Sequence, residues 1–262
     1  MGWEEYPWFC IATLLCWAIA AATAFGQKHR NTTFFLGGLG IGIQAFFLIG
    51  FWIHAQRPPL ASLGETRLWY VFFLLLLGWF VFYAFRYRWI PALSWVLALV
   101  FSLPNLLKPE LHTQGLMPVL QSFWFIPHVI LYIFAYSLLA ISFLLSIYGL
   151  SAKKGRGRLL LEHIDRLSRL GTLCLLTGIC LGCVWAKQAW GSFWTWDPKE
   201  TWALATLLCY GISLGLRRCP EHPVLQQKAS LWFQILGFIT LQICWYGINY
   251  LPATQNSLHV YG

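Results

Sequence analysis

The chain has 262 residues, of which 58% are hydrophobic, 18% aromatic and only 10% charged, and its apolar runs reach the length needed to cross a bilayer. The formal net charge of +9 comes from short basic clusters between those runs, which excludes a continuous nucleic-acid-binding face and points to membrane topology instead. Most of the eight cysteines lie inside apolar segments, which excludes an extracellular disulfide framework.

The first predicted span, 7–25, follows Glu4 and Glu5 rather than a basic leader, so it reads as a retained helix although Ala20 to Ala24 imitate a cleavage site. Further spans are predicted at 34–54, 69–85, 89–103, 125–150, 169–187, 200–216 and 230–250, the fourth being the shortest. The expected fold is all-α: a polytopic membrane protein of about eight transmembrane helices. The chain reads as a single membrane domain over 1–262, with N-terminal helices in 1–120 and a second part in 121–262.

The connections 26–33, 86–88, 151–168 and 217–229, with Arg169 at their edge, hold 13 of the 18 lysines and arginines. The positive-inside rule assigns them to the cytoplasm and places both termini outside, together with the connection between helices six and seven.

That connection reads WGSFWTWDPKETW from Trp190 to Trp202. Asp197, Pro198 and Glu200 match an N-cap, a first-turn proline and the carboxylate of a capping box, so helix seven is predicted to start near Pro198. Gly191 permits a turn before it. Trp190, Trp194, Trp196 and Trp202 are either an interfacial aromatic belt or the platform for a flat apolar cofactor.

Haem is such a cofactor, and its iron takes neutral imidazoles. His128 opens helix five in FWFIPHVILYIFAYS and His259 lies in the tail NSLHVYG, both on the side predicted for the tryptophan segment. Each alone also fits an interfacial side chain with a satisfied polar tip. Lys187 and Lys199 bracket the loop as snorkelling lysines or propionate partners, and Cys180 and Cys183 form a CXXC without a following histidine.

WGSFWTWDPKETWAL resembles the WWD signature of the haem-handling membrane proteins of cytochrome c biogenesis, and its DPKE ending is similar to the CcsA/ResC branch of System II. His128 with its aromatic helix and the closing LHVYG extend the resemblance, which covers most of the chain from about residue 120. It implies that 121–262 is a haem-handling core with its WWD segment at 190–202. It further implies a protein that binds haem b at the outer face of a bacterial cytoplasmic or thylakoid-type membrane.

On that resemblance His128 and His259 are the axial ligands of the iron, and Trp190, Gly191, Trp194, Trp196, Asp197 and Trp202 belong to the haem site. The implied partners are a separate CcsB/ResB-type membrane protein, apocytochrome c with its CXXCH motif, and membrane lipid, with no nucleic acid. The implied activity is that of one component of a cytochrome c synthase. The alternatives are a HemX-like regulator of haem biosynthesis and a haem exporter without ligase activity. The branch often carries a further histidine after the WWD loop, where this chain reads SLGLRRCPEH; His222, His29 and His163 are the candidates for a cytoplasmic uptake site.

Overall fold

Hydrocarbon offers no partner to a backbone amide or carbonyl, so a chain this apolar must close those bonds within each segment. The computed structural model describes residues 1–26, 29–108, 112, 122–151, 157–218 and 223–247. Its helices are α1 (Tyr6–Ala24), α2 (Arg30–Ala55), α3 (Leu63–Phe85), α4 (Ile90–Leu107), α5 (Phe125–Ser151), α6 (Gly157–Trp190), α7 (Pro198–Leu216) and α8 (Pro223–Trp245). The protein is an all-α, multi-pass membrane protein, with α1 to α6 each long and apolar enough to cross a bilayer. The last two helices are less apolar: α7 opens with Lys199 and Glu200, and α8 carries Gln226, Gln227, Lys228, Gln234 and Gln242.

The largest departure from the predicted spans is α6, which begins 12 residues before the expected 169. Hydropathy reads RLLLEHIDRLSRL as a connection because it is charged. The charges instead fall at helical spacing, pairing Arg158 with Glu162 and Arg169 with Asp165 along one face. At about 1.5 Å per residue α6 runs roughly 50 Å, well beyond a hydrocarbon layer of about 30 Å. Helix α3 likewise starts at Leu63 rather than 69, because Ser62 accepts the Glu65 amide at 3.2 Å as an N-cap.

The chain divides into two compact units, with the boundary between residues 121 and 122. In the first, α1 packs on α2 and α4, and α3 packs on α2 and α4. Tyr6, Trp17, Phe47, Phe51, Leu68 and Leu75 make its core. An added methyl at Gly40 would stand 2.6 Å from the Trp17 ring, so only glycine lets α2 approach that indole. At one end of this unit Glu65, 2% exposed, accepts both Arg57 Nη atoms at 2.8 Å and the Ala61 amide at 2.6 Å.

In the second unit α5 packs on α6 and α8, and α7 packs on α6 and α8. A buried polar network joins all four. Ser142 and Ser168 donate to Gln234 Oε1 at 3.1 and 2.9 Å, and Gln234 Nε2 donates to Ser213 Oγ at 2.9 Å. Ser213 meets Ser230 at 2.9 Å, and Arg217 donates to Ser230 Oγ at 2.6 Å and to the Leu161 carbonyl at 2.9 Å. Asp165 stands 3.7 Å from Arg217. Such groups stabilise a membrane bundle because the alternative is an unpaired dipole in hydrocarbon.

Gln234→Ala removes the acceptor shared by the Ser142 and Ser168 hydroxyls and the amide donor to Ser213 Oγ, and leaves a cavity among the four helices. The expected cost is about 1–3 kcal/mol, read as a lower unfolding midpoint in detergent; an unchanged midpoint would remove the network from the account of stability.

Candidate functional site

The site is built at the end of the second unit where α5 begins, α6 ends, α7 begins and α8 ends. Asp197 caps α7 as predicted: its Oδ1 accepts the Lys199 amide at 2.9 Å, and Glu200 returns a carboxylate to the Asp197 amide at 3.2 Å. Glu200 does more than close a capping box. Its Oε2 also accepts the Thr195 amide at 2.8 Å and the Thr195 hydroxyl at 3.3 Å, so one carboxylate gathers three donors from the tryptophan loop.

The other side of the loop is fastened to α6. Gly191 adopts φ 81°, a left-handed conformation that ends the helix, and its carbonyl accepts Lys187 Nζ at 2.8 Å. Lys187 also lies 5.5 Å from the centre of the Phe193 ring. Its ammonium therefore serves the helix end. Ser192 Oγ bonds the Trp194 carbonyl at 3.0 Å, which turns the chain back towards α7. Trp196 holds φ 58°, a left-handed geometry that costs a non-glycine residue about 1–2 kcal/mol, and its side chain is 67% exposed.

His128 sits in the first turn of α5, and its Nδ1 lies 2.7 Å from the Gly178 carbonyl of α6. A carbonyl only accepts, so Nδ1 carries the hydrogen, and in the neutral form of the ring the lone pair falls on Nε2. The ring lies at 19° to Trp185, with centres 6.0 Å apart, and at 83° to Tyr132 at 4.6 Å. Trp185, 1% exposed, in turn meets Trp190 edge-on at 6.2 Å. The aromatic series continues down α5 from Tyr132 to Tyr136 and across to Trp245 of α8.

Of the sequence-predicted residues, His128 and Trp190 are joined through Trp185. Trp194 and Trp196 pair edge to face at 5.7 Å, while Gly191 and Asp197 end one helix and begin the next. Trp202 stands half-buried in the second turn of α7, its carbonyl accepting the Thr206 hydroxyl at 2.8 Å. His259 and His222 lie outside the described residues. His163 is buried on α6 and His29 precedes α2. Cys180 is exposed and Cys183 half-buried, both as free thiols.

Trp185 and the glycines at 178 and 182 were not singled out by sequence reasoning. The spacing GICLGCVW carries the signal, since small residues four apart let a neighbouring helix close in. The donor set fits haem on three counts: a histidine whose neutral form presents Nε2 as base, aromatic walls on two elements, and the Trp194 indole N–H. That N–H is buried with no acceptor among the described residues, as a group awaiting a carboxylate oxygen would be.

Comparison with known proteins adds a second line. Residues 7–255 match the family model described as cytochrome C assembly protein. The chain is 30% identical over 288 residues to the cytochrome c biogenesis protein CcsA of Nymphaea alba, covering 95% of this chain and 89% of that one. It is 29% identical over 295 residues to CcsA of a Synechococcus strain, covering 96% and 92%. Against CcsA of Chlamydomonas reinhardtii it is 38% identical over 172 residues, covering 62% and 46%.

Glu200→Ala leaves the Thr195 and Asp197 amides without their carboxylate. Their hydrogen exchange is expected to quicken about tenfold, the equivalent of roughly 1.4 kcal/mol, measured by exchange mass spectrometry; unaltered protection would mean that other contacts hold the loop.

Proposed function

The chain belongs to the cytochrome C assembly protein family, and on that premise we propose that it holds haem b at the outer face of the membrane for attachment to apocytochrome c. The observation that carries the reading is the hydrogen bond from His128 Nδ1 to the Gly178 carbonyl at 2.7 Å. It leaves Nε2 as the basic nitrogen of the neutral ring, at the same end of the bundle as the tryptophan loop.

In this reading His128 and His259 would hold the haem iron, each through an imidazole nitrogen. Trp190, Trp194, Trp196 and Trp202 supply apolar walls, Gly191 supplies the turn that folds the loop over the site, and Asp197 and Glu200 keep its backbone in place. The Trp194 N–H, buried without an acceptor among the described residues, would hold a propionate oxygen. Haem itself supplies the iron and the vinyl carbons that become thioethers. The chain's residues bind and orient, and they exclude water from the ring faces.

The two cysteine thiols to be joined come from the CXXCH motif of the apocytochrome, presented with the help of a CcsB-type membrane partner. The chain is in this account the haem-holding component of a cytochrome c synthase, facing the periplasm or its thylakoid equivalent, with anionic lipid against the basic clusters on the opposite side.

Protein purified from haem-replete cells is expected to show the absorption spectrum of bis-histidine haem in both redox states. The His128→Ala/His259→Ala double variant, matched for yield and fold, should lose that spectrum and regain it when imidazole is added. A wild type without haem, or a double variant with an unchanged spectrum, would overturn the proposal.

A further inference from the structure

Four features of the second unit converge on the His128 ring. The Gly178 carbonyl lies 2.7 Å from Nδ1. Gly182, one helical turn further along α6, lies so close that a methyl added there would stand 2.6 Å from His128 Cε1 and 2.8 Å from Nδ1. Trp185, one turn beyond Gly182 and buried, faces the ring at 19°. Tyr132, one turn along α5, closes a further side edge-on, and a methyl at Gly178 would stand 3.3 Å from the Tyr132 ring.

Three consecutive turns of α6 thus present a carbonyl, a gap and an indole to one imidazole. The gap is what makes the hydrogen bond reachable. Contacts this short essentially never occur for a real Cβ, so any side chain at 182 would drive the ring away from α6 and break the Nδ1 bond.

We propose that Gly178, Gly182 and Trp185 form a positioning element for the axial histidine. The Gly178 carbonyl fixes the proton on Nδ1 and the ring's orientation, and it strengthens Nε2 as a donor to iron. Gly182 gives the ring room to reach that carbonyl, and Trp185 holds its plane. The inference rests on the reading of His128 as an axial ligand and goes beyond it by assigning tautomer, orientation and donor strength to α6. A ligand whose N–H is engaged by an acceptor carries more negative charge on its bound nitrogen and favours ferric over ferrous iron. The same bond keeps the ring from swinging away when a competing ligand approaches.

The test uses the full-length, haem-loaded protein with Gly182→Ala. Gly171→Ala is the control, since its methyl would press on Leu139 at 2.7 Å in the same helix pair without meeting His128. Gly182→Ala is expected to keep a bis-histidine spectrum, to move the haem midpoint potential in the positive direction, and to lower the imidazole concentration that displaces the histidine by about tenfold. The control should match wild type in both readouts. When His128→Ala is reconstituted with imidazole, adding Gly182→Ala should leave the midpoint potential unchanged.

A Gly182→Ala protein with wild-type potential and wild-type imidazole displacement overturns the positioning role, and so does a shift that persists after His128 is replaced by imidazole. Retention of the wild-type spectrum by His128→Ala overturns the ligand assignment itself, which separates the two failures. Should Gly182→Ala not fold, the wild type decides the matter through proton ENDOR of the oxidised haem. A resolved, slowly exchanging Nδ1 proton supports the bond to the Gly178 carbonyl, and a rapidly exchanging one overturns it.

Discussion

A polar atom in hydrocarbon must find its partner within the protein, and the organisation of this chain follows from that constraint. It makes the backbone helical throughout the apolar runs. It also dictates what happens wherever a helix stops. At the junction of α6 and α7 the released groups are taken up by Lys187, Ser192, Asp197 and Glu200, so that a loop rich in tryptophan keeps a defined path. Loop and site are held by the same bonds.

The constraint also gives one glycine pair on α6 a particular use. A carbonyl in a helix already accepts one amide and has a second lone pair to offer. Gly178 offers it to His128 because Gly182 leaves space for the ring. The opposite end of the four-helix unit solves the same problem with side chains: Ser142, Ser168, Gln234, Ser213 and Ser230 satisfy one another, and Arg217 anchors the series to the Leu161 carbonyl. One half of the unit is thus held by side-chain hydrogen bonds across its four helices, while at the other end the Trp194 indole N–H is buried with no acceptor among the described residues.

The fold was largely legible from hydropathy. Helix count and order follow from runs of apolar residues, and the start of α7 was readable because DPKE specifies a cap by short-range chemistry alone. The start of α6 was not. Its first turns are charged, and a transfer scale cannot tell a solvated connection from a helix whose charges pair at i and i+4. The candidate site divides in the same way. Trp190, Trp194, Trp196 and Asp197 announce themselves by density and local signature, whereas Trp185 reads as one more aromatic in an oily helix.

By itself the sequence determined the membrane-spanning class, the capped tryptophan loop and the family resemblance, because each depends on residues close together in the chain or on summed composition. Only the tertiary structure decided that His128 donates to a carbonyl 50 residues away, that Gly182 is the space which permits it, and that Trp185 links it to Trp190. Those relations depend on how closely α5 and α6 approach, and that distance is set by the packing of two whole helix faces rather than by any local run of residues.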